Sequence, residues 1–503
     1  MARYSDSASP DEAVLIETDD FALVYDRRNR AFHKKRWDSS TKSWTTGWKA
    51  PYSALVAKDG STVWAEDSDG KTIASGESGV DDASVIQSAI DACPNYGKIV
   101  LNAPTFDLHD SISISNKNYF QLEFIVDRIV TLGDFPAFII DKSGNSIIKG
   151  NLRICRYPPE DGYNDTSYAI RILTSNSILV ERINVDRTRN GVEIYDTEYA
   201  VINQLLVSVW GRGLWIHEGS HQVTVQYGQM AGRIESPGPG YAEDIGVLIE
   251  NSNDVNFQYL YSKFHTTGLK TVNSNLLSGL YIVCENNHNV GLHIAEGCIE
   301  TAINAVWTMG SPIGVLIEGS SDARNRYTRI GVINARYNSD IQVKIGNYVS
   351  MLNVDYLQTQ GGNVGLQVDC PNGRLIHIGA FVPHQHDVAD LDIVNAPAEG
   401  INIDYIRHAW NGIQGLPADI RVGYGEDFKN SGAATFSGDG TTTQFSIAHG
   451  LVSTPTKVLV TPMTADAASD FYVTADDTKI YINYKSAPPS GTDNLKFSWY
   501  AEV

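Results

Sequence analysis

The chain has 503 residues, 42% of them hydrophobic and 19% charged, with a formal net charge of −20. It is too long for one ordinary globular core, and its composition is that of a folded protein. The acidic excess argues against a nucleic-acid partner, and no run of 18 apolar residues exists to span a membrane.

The first residues, Met1-Ala-Arg-Tyr, begin no apolar stretch, so no secretory signal is expected, and display outside a cell requires another exit such as release with a virion. Residues 1–50 read as a small β module, with strand candidates Ala13-Val-Leu-Ile and Phe21-Ala-Leu-Val-Tyr. A cationic cluster (Arg27, Arg28, Arg30, Lys34, Lys35, Arg36) precedes Trp37, Trp44 and Trp48. The tryptophans fill the module's own core or dock it on a partner such as a virion attachment protein.

Residues 51–430 read as a right-handed parallel β-helix, the centre of an all-β chain. Its entry holds the clearest helix, 81–92, in which Val85, Ile86, Ala89 and Ile90 form one apolar face and Asp81 or Asp82 can cap the N-terminus. Laid across the first coil, this helix would cover an open end. Beyond it a phrase recurs at Gly191, Gly213, Gly246, Gly268, Gly291, Gly314 and Gly365, with spacings of 22, 33, 22, 23, 23 and 51. The 33 is one repeat plus an 11-residue insertion within 230–244. The 51 hides a repeat whose glycine is missing near Gln342. Counting back from Gly191 reaches Ala169. Apolar alternation after each glycine is strand periodicity, and Ser/Asn/Gly/Asp clusters mark the turns. A second insertion lies at 320–329, and such loops tend to map to one face. No helical spacing separates the strands, which disfavours leucine-rich repeats. The five cysteines stand singly, without C-x-x-C spacing, so neither a disulfide framework nor a metal site is expected.

Residues 410–432 read as an exit and linker. From 431 to 503 five strand candidates appear, 442–447, 457–461, 471–474, 479–484 and 495–500, as a small antiparallel sandwich for trimerisation or receptor binding.

Stacked coils place equivalent residues about 4.8 Å apart, so columns follow from phase. Two places after the glycine come Arg171, Glu193, Trp215, Leu248, Lys270, His293 and Leu316; four places after come Leu173, Tyr195, His217, Glu250, Val272, Ala295 and Glu318. Both phases point outward. Trp215, Tyr195, His217, Glu193 and His293 then make a glycan-binding set, in which rings stack on sugars and acids accept hydroxyls. The competing reading is an ordinary mixed surface. Trp215 is the expected anchor, exposed and free of packing. Asp196 and Glu218, five places after the glycine, would stand about 5 Å apart, like a retaining glycosidase pair. The competing reading is a structural polar ladder at a turn. Glu193 and Glu250 are the other acidic candidates. His217-Glu-Gly-Ser-His221 matches H-E-x-x-H, but crosses a turn where zinc chemistry needs a helix. No cofactor or metal is expected.

Asp82-Ala-Ser-Val-Ile-Gln-Ser-Ala-Ile-Asp followed by Gly97-Lys-Ile-Val-Leu resembles the start of pectate-lyase-like β-helices, with Pro104-Thr-Phe-Asp in place of the family's P-x-G-x-Y turn. The resemblance covers roughly 57–425. It implies the fold more strongly than the function, since the group spans lyases, hydrolases, viral tailspikes and adhesins. Polygalacturonase-type motifs are incomplete: Asn184-Val-Asp186 is present, but the D-D pairs fall outside the coils and no G-H-G occurs. Gly440-Thr-Thr-Thr-Gln-Phe-Ser-Ile-Ala-His449 and Thr454-Pro-Thr-Lys-Val-Leu-Val-Thr-Pro resemble C-terminal modules of tail-fibre and tailspike proteins, including those of haloarchaeal viruses. These resemblances imply a trimeric virion-surface spike, fibre or turret that binds host glycan. The alternative is a polysaccharide-degrading enzyme, a hydrolase or lyase, on the same scaffold.

Overall fold

The computed structural model describes residues 52–156, 166–232, 244–397, 400–407, 412–414, 421–425 and 428–503, together with the backbone of four strands between 12 and 45. Those strands, Glu12–Glu17, Phe21–Asp26, Ala31–Asp38 and Ser43–Thr45, form an antiparallel sheet in chain order. The docking roles expected of Trp37, Trp44 and Trp48 lie outside the described side chains.

The body is a parallel β-helix. One sheet stacks thirteen strands, from Ile112–Ser115 to Ile413–Gln414, and a twenty-stranded sheet carries the rest of each coil and the entry strands. In the coil of Gly191 a short strand, Asn190–Tyr195, turns into a long one, Glu198–Val209. The long strand buries Ala200, Ile202, Leu205, Val207 and Val209. Strict alternation slips by one residue between Ile202 and Leu205, which bends the strand round a corner, so one strand serves two faces. Val180/Ile183 and Phe257/Leu260 repeat the slip in other coils.

The register carries the repeat. Glu193 pairs with Trp215, and Trp215 with Leu248, so the column keeps its register across the 33-residue spacing; 233–243 lie outside the described residues. Val343 stands between Val315 and Leu366, which puts Gln342 where the missing glycine belongs. The column runs two coils past the last glycine, since Leu366 pairs with Leu391 and Leu391 with Ile413. Ile139 pairs with Arg171, so the coil holding 157–165 has its own insertion, which the glycine count does not reach. The insertion at 320–329 follows a short strand, Ile313–Ile317, whereas that at 230–244 precedes one, Ile245–Glu250. The two leave from different corners, not one face. Glycine recurs because the coils touch: a Cβ on Gly191 would lie 2.1 Å from the carbonyl oxygen of Gly213.

Three antiparallel strands, Ala54–Asp59, Thr62–Asp67 and Thr72–Glu77, and the helix Asp82–Ala92 close the first coil. Ala83, Val85, Ile86, Ala89 and Ile90 are buried on the core, as the apolar spacing requires. Gln87 caps the free edge of the first short strand: its amide donates to Ser113 O at 3.0 Å and accepts from Ser113 N at 2.8 Å. The expected cap differs. Asp81 holds the N-cap position but makes no side-chain bond to the helix; it accepts from Glu77 N at 2.8 Å. Asp82 is fully buried, pairs with Lys58, and accepts from Gly79 N at 2.9 Å and Asp107 N at 2.7 Å. It ties entry strands, helix and first coil together.

At the other end six strands form two three-stranded antiparallel sheets. The sixth, Lys429–Gly438, begins inside the stretch expected to be linker. Its exposed, polar sequence hides a strand that pairs along its length with Gly491–Glu502. Phe428 joins the β-helix core, with Val452 and Val503 of the sandwich packed against it.

Removing Asp82 leaves the largely covered Lys58 ammonium without its carboxylate. Asp82→Ala should therefore destabilise the entry by about 3–5 kcal/mol, read as an earlier first transition in urea.

Candidate binding faces

The first candidate lies on the short strands. Arg171, Glu193, Trp215 and Leu248 pair in register, then Lys270, His293 and Leu316, so the expected column exists. It is not an open sugar platform. Glu193 is buried and accepts hydrogen bonds from Arg171 Nε and, at 3.1 Å, from His217 Nε2. Burial pushes its carboxyl up, but those two bonds outweigh the effect and hold it below the ordinary range. His217 is buried too, and stacks on Trp215 with centroids 3.5 Å apart and planes 2° from parallel. The Arg212 guanidinium lies 4.2 Å from the Trp215 centroid, necessarily on the other side. Trp215 Nε1 donates to Glu250 Oε2 at 2.8 Å.

Trp215 is thus half-buried with both ring faces covered, against the expectation of a free, exposed anchor. The alternation gave its direction correctly; it could not show that Arg212 and His217 close over it. Tyr195 is exposed and meets His217 edge-on at 5.1 Å. His293 lies coils away and pairs with Glu318 at 3.0 Å; this bond, opposed by burial, holds the Glu318 carboxyl below its usual range.

Asp196 and Glu218 are exposed and sit at φ 43° and 53°, in the left-handed region, followed in phase by Asn251 at 48° and Asn273 at 46°. They are corner residues at equivalent positions of adjacent coils, the phase at which a polar ladder also runs. The next residues build the ladder: Ser143 N donates to Ser175 Oγ at 3.2 Å, and Thr197 N to Ser220 Oγ at 3.3 Å. The two histidines of the H-E-x-x-H string belong to different networks, His217 with Glu193 and His221 with Asp254 at 3.5 Å.

The second candidate is a groove that the glycine phase does not reveal. It runs along the first segment of the long strands. Its floor is the column Val201, Thr224, Asn256, Ser278, Ala302, Arg329 and Asn353. Six steps of about 4.8 Å make it roughly 29 Å long. One ridge is a ladder of left-handed residues, among them Tyr199, Gln222, Asp254, Leu276, Glu300 and Tyr327. Their amides bond to the next coil, as Leu276 N does to Ile299 O at 2.9 Å. Beyond the corner, Tyr227, Tyr259 and Tyr281 stack at 5.1 and 5.7 Å, and Trp307 follows at 6.4 Å. Two open concavities of about 440 and 450 Å³ share Asn256 and Ser278, whose side chains bond at 2.6 Å. At the far end runs a polar chain. Arg329 pairs with Asp355 at 3.1 Å, Asn353 donates to Asp355 at 2.6 Å, and His377 meets Asn353 at 2.5 Å and Asp404 at 3.0 Å.

No protein-family model matches the chain, and no curated protein matches it. Solved structures similar in fold include the tailspike protein of E. coli bacteriophage HK620 in complex with pentasaccharide, at 9% identity over 84% of this chain and 90% of that one, with a TM-score of 0.42. The gp54 tailspike of Acinetobacter baumannii bacteriophage AP22, in complex with capsular saccharide, has 9% identity over 84% and 93%, TM-score 0.33. Endo-xylogalacturonan hydrolase from Aspergillus tubingensis has 13% identity over 70% and 92%, TM-score 0.32. These likenesses are of fold alone; the chain's own strand register defines that fold as a parallel β-helix.

Two tests follow from the first face. Trp215→Ala should cost roughly 1–3 kcal/mol of stability, because it unpacks His217 and Arg212 and strips Glu250 of its donor. Glu193 binds fewer protons folded than unfolded, so its contribution is present above pH 4.5, its ordinary value, and is lost as the pH falls through the folded value. Denaturation midpoints of Glu193→Gln should therefore fall less steeply than wild type below that pH.

Proposed function

We propose that the chain is a virion surface spike, fibre or turret that holds an extended host-surface glycan in the long-strand groove. The observation that carries the reading is the groove itself: a straight channel floored by hydroxyl and amide groups, with a ladder of stacked tyrosines beyond its corner. A rigid channel parallel to the coil axis suits a linear polymer better than a compact ligand. The Tyr rings cover one another's faces, so they offer edges and phenol hydroxyls. Burial raises the Tyr259 phenol above its ordinary value, which keeps that hydroxyl a donor. The virion setting is supported by the sequence resemblance of the C-terminal module and by the order of small sheet, β-helix and sandwich.

A threefold assembly belongs to the proposal, since cyclic closure hides the repeated flank of each shaft. A parallel homotrimer is the expected mass in light scattering at micromolar concentration; a monomer would overturn it. Partner contacts of the N-terminal module are proposed on sequence grounds alone.

One observation favours the enzyme alternative. Asp355 and Asp404 occupy one column with Gly379 between them, so their backbones stand two coils, about 9.6 Å, apart. That approaches the separation of an inverting pair. Against it, each carboxylate is already bonded, Asp355 to Arg329 and Asp404 to His377, which disfavours the protonated acid that hydrolysis requires.

Tyr259→Ala, which removes the middle of the ladder, should weaken binding to purified cell-surface polysaccharide by about 2 kcal/mol with the fold intact by circular dichroism. Unchanged affinity would place the ligand elsewhere. Release of oligosaccharides by the wild type, abolished in Asp355→Asn, would establish the enzyme reading.

A further inference from the structure

We infer that the groove selects uncharged glycans and rejects polyanionic ones; the inference rests on the glycan reading above. The charged side chains lining the two concavities are Asp254, Arg329 and Asp355, and Glu300 stands on the ridge. Arg329 faces Asp355 at 3.1 Å, so the cation is already engaged. Asp254 meets only His221, at 3.5 Å. The lining is therefore neutral to negative, on a chain whose formal net charge is −20.

Between those charges lies the central floor. Thr224, Asn256 and Ser278 form its column, with Asn304 beside them. Gln226 and Gln258 stand exposed on the corner just before the tyrosines. All these groups exchange hydrogen bonds with hydroxyls and carry no charge. A sugar carboxylate, sulfate or phosphate placed here would meet no cation on the central floor, where the nearest in the lining, Arg329, already faces Asp355, and it would lie beside Asp254. Like charges brought together in this way cost affinity and exclude the wrong partner. A neutral sugar loses nothing by the same placement. The stacked tyrosines add apolar edges that suit the C–H faces of an uncharged ring. Selection therefore follows from what the floor lacks as much as from what it offers.

The test is a panel of immobilised polymers read at low and high salt: dextran, mannan, galactan and arabinan as neutral probes, polygalacturonate and hyaluronate as polyanions. The expected result is binding to at least one neutral polymer, insensitive to salt, and none to the polyanions. Asn256→Ala and Ser278→Ala should each weaken the neutral interaction roughly three- to tenfold, the loss of one uncharged hydrogen bond. Asn256→Lys, which puts a cation on the floor, should create polygalacturonate binding that salt weakens. Wild-type binding to polygalacturonate that weakens with salt and is lost in Arg329→Gln would overturn the selection while leaving the glycan reading in place. Failure of the whole panel to bind, with every variant folded, would count against the glycan reading and the selection together.

Discussion

Everything in this shaft depends on coil-to-coil pairing in register. Each short strand hydrogen-bonds its equivalent one coil on, so whatever stands at one phase is repeated at that phase some 4.8 Å away. The backbone leaves no room for a Cβ along the axis where the glycines recur, and polar side chains at the corners bond their equivalents in the next coil. Ser143, Ser175, Thr197 and Ser220 do so in the turns. Inside the core His265, Asn287, Ser311 and Asn338 form another such file, with His265 N on Asn287 Oδ1 at 3.2 Å and Ser311 N on Asn338 Oδ1 at 3.1 Å. These ladders pair much of the polar surface that a solenoid buries, though His265 Nε2 and Asn287 Nδ2 in the core file find no partner among the described residues.

The same stacking decides what the surface can offer. Aromatic side chains in one column cover each other. The tyrosines of the long strands present edges, while Trp215 is closed within its own coil by His217 and Arg212. A ring in a ladder therefore stabilises the shaft first and meets a ligand with its rim. The open surface is the flat segment before the corner, where residues of the floor column are small: Thr224, Ser278 and Ala302 lie between larger neighbours. The groove is a consequence of small residues repeating at one phase while left-handed corner residues rise beside them.

Much of this was legible beforehand. Glycine spacing located the short strands, their direction and a coil without its glycine, because period-two alternation and close backbone approach both leave marks on local sequence. The helix 81–92 was legible from its apolar face. Other features left no such mark. The one-residue slip at the corner breaks alternation, so phases counted from glycine stop being valid along the long strand, and the groove went unread. Lys429–Gly438 alternates too weakly to announce a strand, and pairs only because Gly491–Glu502 lies beside it.

The sequence by itself determined the architecture: an all-β chain, a coiled centre of fixed period, a capping helix at its entry and a sandwich at its end. These follow from patterns between near neighbours in the chain. Only the tertiary structure decided which outward residues are free. Glu193 and Trp215 point outward in phase, yet Arg171 and His217 occupy Glu193 from neighbouring coils, and Glu250 from the next coil with Arg212 and His217 of its own coil occupy Trp215. Alternation fixes the side of the sheet on which a side chain stands. For Glu193 the partners stand 22 and 24 positions away, and Glu250 reaches Trp215 from 35, which no local pattern specifies; the faces of Trp215 are covered from nearby, by Arg212 and His217, through side-chain placement that alternation does not fix.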